Sequence, residues 1–221
     1  MANIELSEIS FINQIREPDV SSIFHVVWHS KECVLKYHSA EPSPADPPNR
    51  AIDPFKCESA AFARLHEHGL CNQGYVPRFC GLIEQINPGD WSPHLNNFLE
   101  DRLCPNALLL EYIPNLHPIT LSNFSKKRAH QLHHILLEIY RAGIYHGDPY
   151  PRNMMVQEDE DRVLWVDFDR AQTLTPDSLQ QYQVEWLEEE ADMMDYFVKA
   201  LTADARDGRI YRTWACYYEY V

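Results

Sequence analysis

The apolar run Ala107-Leu108-Leu109-Leu110-Glu111-Tyr112-Ile113 is stopped by Pro114 and divides this 221-residue chain into two unlike halves. Such a run reads as a short buried strand, and the proline ends it by removing a backbone donor. Ahead of it, Ser22–His29 and Glu32–Tyr37 alternate as a β-hairpin with a turn at Ser30-Lys31. Ser39–Pro54 holds Pro42, Pro44, Pro47, Pro48 and Pro54, which forbid regular structure and predict an exposed loop. Phe55–His68 has helical composition and Gly69 suits its stop. Phe79–Ile86 reads as a strand, and Asn87–Pro105 as a loop-rich interval.

Behind the run, helices dominate. Leu132, Ile135, Leu136, Ile139 and Tyr140 form a helical stripe within Ser125–Ala142, and Gly143 ends it. Met154–Val156 and Val163–Phe168 pair as a second hairpin across an acidic turn. Glu185–Leu201 is a final helix with a stripe through Trp186, Met193, Met194, Phe197 and Leu201. Strands and one helix first, then a mostly helical half with one hairpin, make an α+β chain with two lobes.

The net charge of −14 argues against nucleic acid or an anionic membrane as partner. Acidic runs at Gln157–Asp161 and Glu185–Asp195 read as solvated faces. The six cysteines lack a paired C-x-x-C spacing, so no zinc site is expected. No basic-then-apolar leader and no membrane-spanning run is visible. A reducing, cytoplasmic setting with free thiols is the expectation. His130, His133 and His134 share a helix, but His133 and His134 point apart and do not suggest a metal site.

The chemistry concentrates in His146-Gly147-Asp148-Pro149-Tyr150-Pro151-Arg152-Asn153 and in Val163-Leu164-Trp165-Val166-Asp167-Phe168-Asp169. An aspartate, an asparagine five residues on and an aspartate at a strand exit can receive a hydroxyl proton and hold Mg²⁺. The bland alternative is that Asp148 caps a turn before Pro149. Lys36 ends a strand, where a lysine is often only solubilising. Glu58 sits in a helix flanked by Ala60, Ala61, Phe62 and Leu65, which would turn it inward.

Taken together, these segments resemble the protein-kinase-like superfamily, whose catalytic loop reads H-R-D-x-x-x-x-N and whose metal segment reads D-F-G. The H-G-D variant is similar to aminoglycoside and choline phosphotransferases and to small atypical kinases. The resemblance implies a bilobal fold: a single domain over 1–221, with a sheet lobe and hinge over 1–113 and a reduced helical lobe over 114–221. It implies ATP-dependent transfer of the γ-phosphoryl group, with Mg²⁺, to a protein or small-molecule hydroxyl. Asp148 is then the catalytic base beside Asn153, with Asn153 and Asp167 the Mg²⁺ ligands. Lys36 holds the phosphates and pairs with Glu58. The Glu111 carbonyl and the Ile113 amide meet adenine. His146 braces the loop, and Asp192 or Asp195 in the last helix does the same.

The sequence departs from that pattern in four places. No glycine precedes Gly69, so Arg16–Ser22 stands where a glycine-rich phosphate loop belongs. Gly147 replaces arginine, which argues against activation by loop phosphorylation. Asp169 replaces the last glycine. No A-P-E segment follows. These departures leave room for a pseudokinase that binds nucleotide or serves as a scaffold, and for a helical interaction protein with accidental motifs.

Overall fold

The computed structural model describes residues 4–16, 21–38 and 49–213. It is an α+β protein with a sheet-rich N-terminal region and a mostly helical C-terminal region, an arrangement consistent with a kinase-like fold. Strands β1 (Ile9–Arg16), β2 (Ser21–Trp28), β3 (Lys31–His38), β4 (Phe79–Ile83) and β5 (Asn106–Glu111) make one antiparallel sheet in the order β1-β2-β3-β5-β4. The β2–β3 turn lies at His29-Ser30, one residue earlier than the sequence suggests, because both residues take left-handed angles (φ 48° and 61°). That is the turn geometry that matches the twist of a two-residue hairpin. β4 also stops at Ile83, short of Ile86.

The two-residue period of β3 sends Leu35 and Tyr37 to one face and Val34, Lys36 and His38 to the other. Leu35 and Tyr37 bury against Phe24, Trp91, Leu95 and Leu109, and the Asn87–Pro105 interval supplies this cover. Phe11 of β1 completes it, edge-on to Phe24 at 5.2 Å and Trp91 at 5.5 Å. Helix α1 (Pro54–Glu67) takes the opposite face. Asp53 caps it by accepting from Lys56 N at 3.2 Å, and Pro54 opens its first turn. Its buried stripe is Phe55, Glu58, Phe62 and Leu65, so a carboxylate occupies an otherwise apolar face. The proline-rich loop predicted over 39–54 lies largely outside the described residues, as does most of the Arg16–Ser22 connection.

The C-terminal region is built on α2 (Lys126–Arg141) and α3 (Gln181–Asp207). Ser125 and Ala142 cap α2 at the predicted bounds. β6 (Leu116–Pro118), β8 (Met154–Gln157) and β9 (Arg162–Trp165) form a small sheet on α2, where Trp165 Nε1 donates to the Leu132 carbonyl at 2.9 Å. β7 (Ile144–Tyr145) pairs with β10 (Gln172–Thr173). α3 starts four residues before, and ends six residues after, the predicted span. No helix among the described residues is long and apolar enough to cross a membrane.

α3 is closed by Gly208 (φ 70°) and by Asp204, which is fully buried. Asp204 accepts from the Tyr211, Arg212 and Thr213 amides at 3.0, 3.1 and 2.9 Å. Burial pushes its carboxyl up, but these bonds outweigh it and hold the pKa below the ordinary range. Asp204→Ala should therefore cost about 1–3 kcal/mol by orphaning those donors, measurable by urea denaturation.

Candidate functional site

Lys36, Glu58 and Asp167 come from three separate elements and meet at one point. Lys36 Nζ lies 2.9 Å from Glu58 Oε1 and 2.8 Å from Oε2, and it also pairs with Asp167 Oδ1. Glu58 Oε2 accepts from His38 Nε2 at 2.8 Å, and Oε1 accepts from the Phe168 amide at 3.3 Å. Glu58 is 1% and Lys36 5% exposed. A buried carboxylate with three donors stays ionised. Burial raises its pKa, the Lys36 and His38 contacts lower it more, and the result is about 2. Burial likewise pulls the Lys36 ammonium down, but Glu58, Asp167 and Asp169 outweigh it, so its pKa rises. Asp169 is pushed up, by burial first and by Asp167 second.

The loop from His146 to Asn153 is held by its own residues. His146 is fully buried, its Nε2 donating to the Val166 carbonyl at 3.2 Å and its Nδ1 accepting from the Asp148 amide at 3.3 Å. Those partners require the neutral ring, and burial drops its pKa to about 4. Asn153 Nδ2 donates to Asp148 Oδ2 at 2.6 Å and to the Asp148 carbonyl at 2.9 Å. The amide nitrogen is thereby engaged, which leaves Oδ1 as the free end. Arg152 Nη2 donates to Asp148 Oδ1 at 2.6 Å, so both Asp148 oxygens have partners, and the residue is 3% exposed. The sequence did not single out Arg152.

The brace from the last helix is Glu190, not Asp192 or Asp195. Glu190 Oε1 accepts from the His146 amide at 3.2 Å and from Tyr140 Oη at 3.0 Å, and Oε2 accepts from the Gly147 amide at 2.8 Å. It shares the buried face of α3 with Met194, Phe197 and Leu201, whereas Asp192 and Asp195 are exposed and Asp195 faces His133 at 3.6 Å. Burial lifts the Glu190 carboxyl to about 7 despite its three donors.

Two backbone positions complete the geometry. Asp167 takes φ 67°, a left-handed angle uncommon outside glycine, and this conformation accompanies its pairing with Lys36. Gly147 takes φ 79°, and a Cβ there would overlap the Arg170 carbonyl oxygen and lie 3.0 Å from Arg50 Nη2. The Gly147 that distinguishes this loop is therefore dictated by close packing.

These groups border a cavity of about 610 Å³, within the usual range of small-molecule sites. Lys36, Glu58, Asn153 and Asp167 line one side of it, and Glu111, Tyr112 and Ile113 another. Asp148 lies behind Arg152 and Asn153, which do line it. Among the described residues no group of three or more His, Cys, Asp or Glu forms a metal cage. The donor set still suits Mg²⁺, which takes one or two carboxylates together with phosphate oxygens: Asn153 offers Oδ1 and Asp167 a carboxylate.

Residues 116–202 match the family model of the lipopolysaccharide kinase (Kdo/WaaP) family. That family belongs to the protein-kinase-like superfamily. The match covers under half of the chain and spans β6 to α3, including Asp148, Asn153, Asp167 and Glu190. Lys36, Glu58 and the β3–β5 sheet lie outside it. No curated protein matches the chain.

Gly147→Ala should destabilise the protein by about 1–3 kcal/mol through its left-handed angle and the Arg170 contact, as read by thermal denaturation. Glu190 gives a pH test. Its pKa is raised in the folded protein from 4.5 to about 7, so its stabilising contribution is full below 4.5 and lost as pH rises towards 7. In Glu190→Gln that contribution is absent, and the Gln amide nitrogen faces the Gly147 amide. The deficit of this variant should grow by about 1–3 kcal/mol as pH falls from about 7 to 4.5, measured as unfolding free energy against pH.

Proposed function

We propose that this chain is an ATP-dependent phosphotransferase of kinase-like type, working as one domain with a sheet lobe over 1–113 and a helical lobe over 114–221. The convergence of Lys36, Glu58 and Asp167 from β3, α1 and the exit of β9 carries the reading, supported by the Kdo/WaaP match over the other half of the site.

In this reading adenine sits against Glu111–Ile113, with the Glu111 carbonyl and the Ile113 amide as its partners. Lys36 meets the α- and β-phosphates as a point charge, aimed by Glu58. Asn153 Oδ1 and Asp167 hold Mg²⁺, which when bound neutralises phosphate charge. Asp148 orients the acceptor hydroxyl and takes its proton, a role worth about 10²–10⁴ in rate. The acceptor reaches Oδ1 by displacing Arg152, whose side chain is 48% exposed and lies over the Tyr150 ring. The name of the matched family puts a lipopolysaccharide hydroxyl first among acceptors to try, ahead of small alcohols and protein hydroxyls.

A second reading is a pseudokinase that binds nucleotide without transferring phosphate. The closure of Asp148 by Arg152 favours it.

Mg²⁺-dependent ATP turnover by the purified chain, beside Asp148→Asn and Lys36→Met, tests the two. The first reading expects Asp148→Asn to lower kcat by about 10²–10⁴ with nucleotide binding retained. Turnover unchanged in that variant would overturn the assignment. Thermal stabilisation by Mg²⁺-nucleotide without turnover selects the pseudokinase; at about 100 times Kd it amounts to roughly 2.7 kcal/mol.

A further inference from the structure

The Lys36–Glu58 pair depends on where α1 sits, and α1 is tied at both ends to the segment that follows Asp167. At its start, Gln172 forms a two-way amide pair with Ala51: Oε1 accepts from Ala51 N at 2.8 Å and Nε2 donates to the Ala51 carbonyl at 2.8 Å. This side chain reproduces the bonding of a neighbouring strand. Nε2 also donates to the Ala171 carbonyl at 2.9 Å, which fixes the amide's direction. Ala51 is joined in turn to α1, since Cys57 Sγ donates to its carbonyl at 3.4 Å. Toward the end of the helix, Arg64 donates to the carbonyls of Gly143 (3.5 Å) and Leu174.

Gln172 is 7% exposed and lies on β10, where it is the register partner of Tyr145, the residue before His146. Gln172 therefore joins the approach to α1 to the segment after Asp167 by its side chain, and pairs through its backbone with the strand that leads into Asp148. Ala51 is itself exposed. Beside the amide pair, the approach to α1 is held on this side by Arg50, which donates to the Arg170 carbonyl at 3.5 Å and lies over the Tyr145 and Trp186 rings.

We infer that Gln172 is a positioning residue: its carboxamide clips the start of α1 to the segment after Asp167 and so keeps Glu58 on Lys36. The inference rests on the phosphotransferase reading for its catalytic consequence, but not for its structural one. It implies that the helix carrying Glu58 is held in its working place by fixed bonds, with no modification needed to bring it there. Arg64 is the second anchor of the same device.

The test pairs kinetics with hydrogen exchange on Gln172→Met and Gln172→Glu. Methionine keeps the length and removes every bond. Glutamate keeps the acceptor for Ala51 N and loses the donor to its carbonyl. In Gln172→Met, amides over 54–60 should exchange about tenfold faster while α2 is unchanged, kcat should fall about tenfold, and KM for Mg²⁺-ATP should move less than about threefold. Gln172→Glu should fall between this and the wild type. Unchanged exchange over 54–60 in Gln172→Met overturns the clip. So does faster exchange throughout with a lower Tm and no change in kcat, which marks a merely structural residue. If Gln172→Met does not fold, Gln172→Glu decides by the same two readouts. Wild-type protein without ATP turnover overturns the phosphotransferase reading instead, and the exchange over 54–60 then decides the clip alone.

Discussion

An ionised carboxylate inside a protein must be answered by donors, and Glu58 organises this fold because it has that need. It stands on the apolar stripe of α1, where a leucine would pack without demands. Instead it draws in Lys36 and His38 from β3 and the Phe168 amide from beyond β9. Those contacts set the height and rotation of α1 against the sheet and tie the sheet to the C-terminal region. The rings follow the same axis: Phe62 of α1 meets Phe168 at 5.4 Å, and Phe168 meets His146 at 4.7 Å. Packing and charge therefore converge on one line running from α1 to the loop that holds Asp148.

The lower end of that line repeats the device. Glu190 stands on the apolar stripe of α3 as Glu58 does on α1, and it collects two consecutive amides, His146 and Gly147, with one carboxylate. His146 then fixes Asp148 from behind through its neutral ring. Glu190 and His146 respond oppositely to acid. The Glu190 contribution grows as pH falls below about 7, while neutral His146 must be protonated in the unfolded chain first, so its contribution is lost as pH falls from 6.5 towards about 4. The two contributions therefore offset one another in mild acid.

Much of this was legible in the chain. The alternation in β2, β3 and β5 and the stripe of α2 are strong periodic signals, and Ser125 and Ala142 mark the helix ends. Lys36, Glu58, Asn153 and Asp167 follow from the resemblance of the motifs to kinase-like chains, and they share one cavity. β1 was missed because bulges after Phe11 and Gln14 break its two-residue period. β6, β7 and β10 are two or three residues long and carry no period at all. Glu190 was hidden in the run Glu188-Glu189-Glu190, which reads as a solvated face. The signal that would have found it is its spacing: it lies four, seven and eleven residues before Met194, Phe197 and Leu201. That spacing places an acid on a buried stripe, the clue that had singled out Glu58. Gln172 and Arg152 had no such signal, since a glutamine in a two-residue strand and an arginine in a loop have no periodic neighbours.

Charge buried at this density is a poor way to stabilise a fold. Lys36, Glu58, Asp167, Asp169 and His38 lie together, and apolar residues of similar volume would often hold such a region as well or better. Removing only one partner, however, strands the others. A chain that needed only shape could shed the set as a whole. A chain that must meet a triphosphate needs Lys36 charged and aimed, which requires Glu58, and it needs oxygen ligands beneath, which requires Asp167. The Lys36–Asp167 contact fits the proposed function, in which phosphate oxygens would take over the ammonium and Asp167 would be released to hold a cation. On the proposed function, the cost of the cluster is explained by the triphosphate and cation the cavity would hold, and each charge stands on a separate element of the fold.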